Sequence, residues 1–277
     1  MENNSLYHYT TLEGFHCIVN NGTPDKLRFH ATHIRYLNDM SEYVYYQNLL
    51  WKSLKRHRKI VSEEAFNKFI SSCDLFSDPY ILSLSKNDDS LPMWHMYGNE
   101  ATGVVLEFDK EIIENSLLRY NPQNDNIRLG ECKYKETIEE TVLNSYITAI
   151  TKMNEHDKNI FDIIRLYSLG IKDNMVLHKS PDYKYEKEWR IYSRSSIIHT
   201  KVSKGQIKPY VEITLPISCL KSIKIGPCMP NKEQELQAIQ FLLSTKVENV
   251  DILNQGKFRL SKTHKCCKIF RKCSYNL

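Results

Sequence analysis

The chain has 277 residues, of which 41% are hydrophobic, 26% charged and 11% aromatic, with a mean hydropathy of -0.49. Those proportions exclude disordered, collagen-like and coiled-coil classes. The apolar runs at 80–84, 103–108 and 238–243 fall far short of the roughly 18 residues that cross a bilayer. The start, Met1 to Ser5, has neither the basic flank nor the apolar stretch of a secretion signal, so a cytoplasmic protein with no membrane partner is expected. Charge is unevenly placed: 257–277 carries seven basic residues and no acidic one, and the total of +5 therefore leaves 1–256 at -2. We expect one domain over 1–256 and a basic extension over 257–277, read first as solvated chain and second as a surface for nucleic acid, an anionic membrane or an acidic partner.

In chain order, 6–10 reads as a short strand. The capping-box pattern Thr10-x-x-Glu13 then opens a helix with Leu12, Phe15, Ile18 and Val19 at helical spacing, stopped by Asn21-Gly22. An irregular stretch is expected to Asn38, after which Asp39-x-x-Glu42 starts a second helix carrying Met40, Tyr43, Val44, Leu50 and Leu54. A third helix is expected near 62–72, strands at 80–85 and 103–108 with a loop between them, and helices at 109–118, 137–153 and 157–168 around a strand at 130–135. Strands near 189–194, 210–215 and 222–225, a helix at 232–244 and a closing pair at 250–253 and 258–261 complete an α+β pattern.

The eight cysteines do not form a disulfide framework. Cys17 and Cys219 read as small core residues, and His264, Cys266, Cys267 and Cys273 lack the usual spacing of a zinc knuckle, so no metal is expected. The sequence contains no Walker, Rossmann, zincin or nucleophile-elbow signature. Four clusters remain. In Tyr7-His8-Tyr9-Thr10, alternation sets His8 and Thr10 on one face. Ser83 and Ser85 place two hydroxyls where a core strand would carry bulk. Trp94 and Tyr97 form either core or a wall for a flat heterocycle. In the run 183–192, a strand beginning near Tyr185 would line up Glu186, Glu188 and Arg190, and two neighbouring carboxylates raise the proton affinity of one unless a cation intervenes. The bland alternative is a surface ladder neutralised by Arg190 and Lys187.

These segments, with Arg35, Asn38-Asp39, Glu42, 103–108 and Ile225-Gly226-Pro227, resemble a prokaryotic family known as domain of unknown function 2971. More distantly, Tyr7-His8-Tyr9-Thr10, Arg35 or Arg28, Ser83-Leu84-Ser85 and Glu186-Lys187-Glu188 resemble, in order, the motifs of ADP-ribosyltransferases, with Tyr9 in place of a small residue. That resemblance implies a split mixed or antiparallel sheet with flanking helices and NAD as substrate. It implies Glu188 at the ribose, Glu186 at the accepting nucleophile, and NAD contacts from His8, Tyr9, Thr10, Arg35, Ser83, Ser85, Trp94 and Tyr97. ADP-ribose would pass to a nucleic acid or protein in bacterial conflict, as a toxin or anti-phage effector, with a partner protein that inhibits or activates it. The rivals are plain NAD hydrolysis, a silent binding module driven by the basic tail, and a metal-dependent nuclease built on Asp39, Glu42, Glu186 and Glu188.

Overall fold

The computed structural model describes residues 4–39, 41–57, 60–74, 78–154, 160–203, 205–244, 251–253 and 257–259. Period-two patterning sets the frame. In β1 (Ser5–Thr10), β3 (Tyr80–Ser85) and β4 (Val104–Asp109), Leu6, Leu82, Leu84, Leu106 and Phe108 point to one face and join one core cluster. That face is closed by Phe15 and Val19 of α1 (Leu12–Asn20), Ile113 and Leu117 of α5 (Lys110–Tyr120), and Ile239 and Leu243 of α8 (Lys232–Ser244). The opposite face of β3 presents Ile81, which packs with Tyr192 under a helical layer. That layer is α2 (Ser41–Leu54), α3 (Glu63–Cys73), α6 (Glu140–Asn154) and α7 (Ile160–Leu177). A third, smaller cluster joins Tyr7, Tyr9 and Val105 to Met93 and Trp94 of α4 (Leu91–Tyr97).

The remaining strands are β2 (Lys26–His33), β5 (Asp125–Glu131), β6 (Glu188–Arg194), β7 (His199–Ser203), β8 (Gln206–Pro216), β9 (Leu220–Ile225), β10 (Asp251–Leu253) and β11 (Lys257–Arg259). They complete a curled antiparallel sheet in the order β10-β11-β9-β4-β1-β3-β2-β8-β7, with β6 added to β3 and β5 to β6. The protein is thus α+β, and every pairing between these strands is antiparallel, with no mixed portion among the described residues.

The sheet forks at β3. One edge of β3 pairs with β6 throughout, from Tyr80↔Ser193 to Ser85↔Glu188. The other edge is shared, with Tyr80 and Ile81 facing His33 and Thr32 of β2 and Ser85 facing Tyr7 of β1. Across Leu82 to Leu84 that edge pairs with neither strand, and the His8 imidazole enters the gap with Nδ1 2.9 Å from the Ser83 carbonyl oxygen.

Several expectations are corrected. The stretch before Asn38 holds β2, whose Leu27, Phe29 and Ala31 alternate into the core between polar residues. Residues 91–97 form α4 rather than a loop, and β5 lies five residues upstream of the expected strand. β7 pairs only with β8 and had no counterpart in the expected elements. The cap of α1 is Thr11, whose hydroxyl accepts from Gly14 N–H at 3.1 Å, one residue after the expected Thr10. Cys219 is buried as expected, whereas Cys17 is exposed. β11 brings 257–259 into the sheet; Met40 and 260–277, including the cysteine-rich tail, lie outside the described residues.

Where β9 turns away from β4, backbone approaches backbone. A Cβ at Gly226 would lie 2.1 Å from the Ala101 carbonyl oxygen, and neither chain has a flexible end to yield. Gly226→Ala is therefore expected to cost about 1–3 kcal/mol of unfolding free energy, read from the urea midpoint.

Candidate active site

A cavity of about 80 Å³ opens beside the fork, lined by Tyr7, His8 and Tyr9 of β1, Ser83 and Leu84 of β3, Met93 and Tyr97 of α4, and Glu186 and Glu188. Four stretches of chain, separated by up to 180 residues of sequence, meet there.

The carboxylates do not meet in the way a continuous strand would bring them together. Residues Pro181–Glu186 form a 3-10 turn, Lys187 is left-handed (φ 44°, ψ 50°), and β6 begins only at Glu188. The kink at Lys187 turns both glutamates inward, while Lys187 itself is exposed. Three bonds fix the turn: Ser85 Oγ donates to the Glu186 carbonyl at 2.5 Å, Asn87 Nδ2 to the Tyr185 carbonyl at 2.5 Å, and Lys86 N–H to the Lys187 carbonyl at 3.0 Å.

Two buried cations hold the pair together. Lys179 Nζ bonds Glu186 Oε2, lies 3.1 Å from Glu188 Oε2 and also lies 3.1 Å from Glu42 Oε1. Arg190 grips Glu188 with Nε to Oε1 at 2.8 Å and Nη2 to Oε2 at 2.9 Å, reaches Glu42 Oε2 through Nη2, and donates Nη1 to the Val176 carbonyl at 2.6 Å. The fork geometry of a guanidinium suits such bidentate pairing. With every group ionised, three carboxylates against two cations leave the cluster at -1.

The two glutamates are electrostatically unlike. Burial works against ionisation of Glu188, but Arg190 and Lys179 outweigh it, with help from the Ser83 hydroxyl, and hold its carboxyl below the usual carboxylate range. Burial raises Glu186, and the attraction of Lys179 does not restore it to its ordinary value. Glu186 Oε1 also accepts from Tyr97 Oη at 3.3 Å. The cavity is thus walled by one firmly ionised carboxylate and one that holds a proton more readily. Burial likewise pushes His8 below the ordinary imidazole range, against the opposing pull of the Ser83 carbonyl.

Of the residues named from sequence, His8, Tyr9, Ser83, Tyr97, Glu186 and Glu188 line this cavity. The others are placed elsewhere. Arg35 is spent on Asp78 (2.6 Å) and Asp74 (2.9 Å) and stacks on the Tyr43 ring. Ser85 is fully buried and acts as the clamp on Glu186. Trp94, 1% exposed, donates Nε1 to Asp89 at 2.8 Å and meets Tyr9 edge-on, so it backs the cavity wall instead of offering a face to a ligand. Thr10 ends β1 and its hydroxyl lies against Gly14. The other candidate arginine, Arg28, pairs with Glu212 on β8.

Sequence reasoning missed Lys179 and the structural role of Glu42. Glu42 sits on the same helical stripe as Tyr46, Leu49 and Leu50, all buried; an acid on the apolar stripe of α2 was the available signal. Lys179 follows α7 with no local pattern to mark it as buried. The carboxylates of the nuclease alternative converge as Glu42, Glu186 and Glu188, but the Lys179 ammonium sits where they meet. Asp39 instead bonds Tyr183 at 2.8 Å and Ser41 N–H at 2.8 Å, and among the described residues no group of acids, histidines and cysteines has the arrangement of a metal site.

Among the described residues no helix is long and apolar enough to cross a membrane. No curated protein and no solved structure matches the chain. Residues 93–191, which carry Tyr97, Lys179, Glu186, Glu188 and Arg190 but neither His8 nor Ser83, match the family described as "Protein of unknown function (DUF2971)".

Proposed function

We propose that this cavity is the active site of an NAD-dependent ADP-ribosyltransferase that modifies a macromolecule. One observation carries the reading: the His8 imidazole, set in a fork of an antiparallel sheet, and the Glu186 and Glu188 carboxylates line one cavity. Breaking the bond between nicotinamide and ribose sends its electron pair to the departing ring and leaves positive charge on the sugar. The fixed charge of Glu188, inside a cluster of net negative charge, stabilises that developing cation more than the neutral ribose of the ground state. Glu186 then takes the proton from the nucleophile that attacks the sugar carbon, a task suited to a carboxylate whose pKa lies above the usual range. Tyr97 orients that carboxylate, and Ser83 orients Glu188. His8, anchored on β3, is the group placed to contact the dinucleotide from the β1 side.

The activity is read as nicotinamide released from NAD and label transferred to nucleic acid or protein. Glu186→Gln should slow transfer by about 10²–10⁴-fold with the fold retained. In the native protein the rate should rise with pH through a limb displaced upward from the ordinary glutamate range, because Glu186 must be ionised to accept a proton; that limb should vanish in Glu186→Gln. An unchanged limb in the variant removes Glu186 from the role of base. Transfer to water, giving plain NAD hydrolysis, is the second reading of the same site, distinguished by nicotinamide release without labelled acceptor.

A further inference from the structure

The half of the sheet beyond the fork has an open face that the cavity chemistry does not use. In β2 and β8, Leu27, Phe29, Ala31, Val211, Ile213 and Leu215 point into the core, where α1 and α5 pack through Phe15, Ile113 and Leu117. Alternation puts Arg28, His30, Tyr210 and Lys208 on the other face, and the registers His199↔Tyr210 and Lys201↔Lys208 extend it onto the edge strand β7. There the rings stack, with Tyr210 between His30 and the exposed His199. Tyr210 lies 4.0 Å from His30 and 5.4 Å from His199, with interplanar angles of 30° and 28°, and Lys201 Nζ is 5.5 Å from the Tyr210 ring. Lys208 Nζ reaches the carbonyl of Tyr36, an exposed residue.

Two lysines directly opposite one another repel, a cost that a sheet normally avoids. No ion pair to a carboxylate offsets it for either lysine among the described residues, and burial together with Lys208 lowers the proton affinity of Lys201. Among the described residues of these three strands the single acid on this face, Glu212, is paired with Arg28. Unneutralised cations interleaved with flat rings match phosphates and bases alternating along an unpaired strand; an acidic protein would satisfy the lysines but not the ring ladder.

We propose that the open face of β2, β8 and β7 binds single-stranded nucleic acid, with Lys201 and Lys208 on phosphates and a base continuing the ring stack at its exposed end, on His199, which Tyr210 backs. This surface is independent of the cavity chemistry, and it adjoins the cavity through β3, so a strand lying on it is presented to the site.

The test is fluorescence anisotropy of the full chain with a labelled oligothymidylate of about 20 nucleotides, long enough for more than one binding footprint. The Lys201→Thr/Lys208→Thr double variant keeps β-forming side chains and removes a repulsion, so it should fold with undiminished thermal stability. Its affinity should fall at least tenfold near 0.1 M salt, and the slope of log K against log salt should shrink by about 1.4, at about 0.7 per lost phosphate contact. Tyr210→Thr should weaken binding with the slope unchanged. Wild-type affinity in the double variant, or no binding by the native chain, overturns the proposal. So does polyglutamate competing as well as the oligonucleotide with no effect of Tyr210→Thr, which would assign the face to an acidic protein. Nicotinamide release without acceptor should be unaffected by the lysine changes, so failure of this surface and failure of the cavity reading are separately visible.

Discussion

Replacing Lys179 with methionine is expected to lower the unfolding free energy at pH 7 by about 3–5 kcal/mol, the range found when one member of a buried ionic cluster is removed and its partners are left in place. Lys179 is 2% exposed and is shared by Glu42, Glu186 and Glu188. Without it, Arg190 alone faces three carboxylates, and the methionine fills the space of the aliphatic stem without supplying charge. The sign of the pH response should also reverse. In the native protein, the depressed Glu188 contributes stability that is present above its unfolded pKa and is lost as the solution is acidified through the folded value. In Lys179→Met the stranded carboxylates bind protons more tightly folded than unfolded, so stability should rise as pH falls from 7 toward the ordinary glutamate range. Urea titrations at pH 7, 5 and 3 read both effects, the gain of the variant between the first two and the loss of the Glu188 contribution in the native chain between the last two. A variant as stable as the native chain at pH 7 means that the cluster is open to water and contributes little.

The second large effect is catalytic. Glu188→Gln keeps the volume and one acceptor oxygen but deletes the charge that, on the proposed reading, faces the ribose, and nicotinamide release should then drop by about 10²–10³-fold, falling in kcat more than in KM. Arg190 retains Glu42 and the Val176 carbonyl as partners, which favours retention of the fold. Circular dichroism and the urea midpoint separate the two outcomes. A proportional loss of activity and folded fraction assigns Glu188 to structure alone.

How far the residues themselves announced this arrangement differs from part to part. β3 and α8 were readable to the residue because apolar runs there end sharply at polar caps. β2 was not, since Lys26, Arg28, His30 and His33 obscure an alternation of only Leu27, Phe29 and Ala31. The glutamate pair was visible as a local excess of negative charge, but its geometry depends on the left-handed Lys187, a conformation that no lysine advertises. Of the two compensating cations, Arg190 stands beside the pair in sequence, but Lys179 lies 7 positions before Glu186 and the third carboxylate, Glu42, 148 before Arg190, so the cluster exists only after folding. Arg35 and Trp94 had the right chemistry for a dinucleotide site, but a tertiary ion pair with Asp78 claimed the first and a local bond to Asp89 the second.

The most direct test incubates the native chain with NAD labelled in the adenylate, together with separate pools of single-stranded DNA, RNA and protein, and measures free nicotinamide and acceptor-bound label. The account predicts nicotinamide release, label in one pool, and loss of both in a folded Glu188→Gln variant. Intact NAD and no label in any pool, with the chain folded and cell extract supplied as a source of any activating partner, would contradict it.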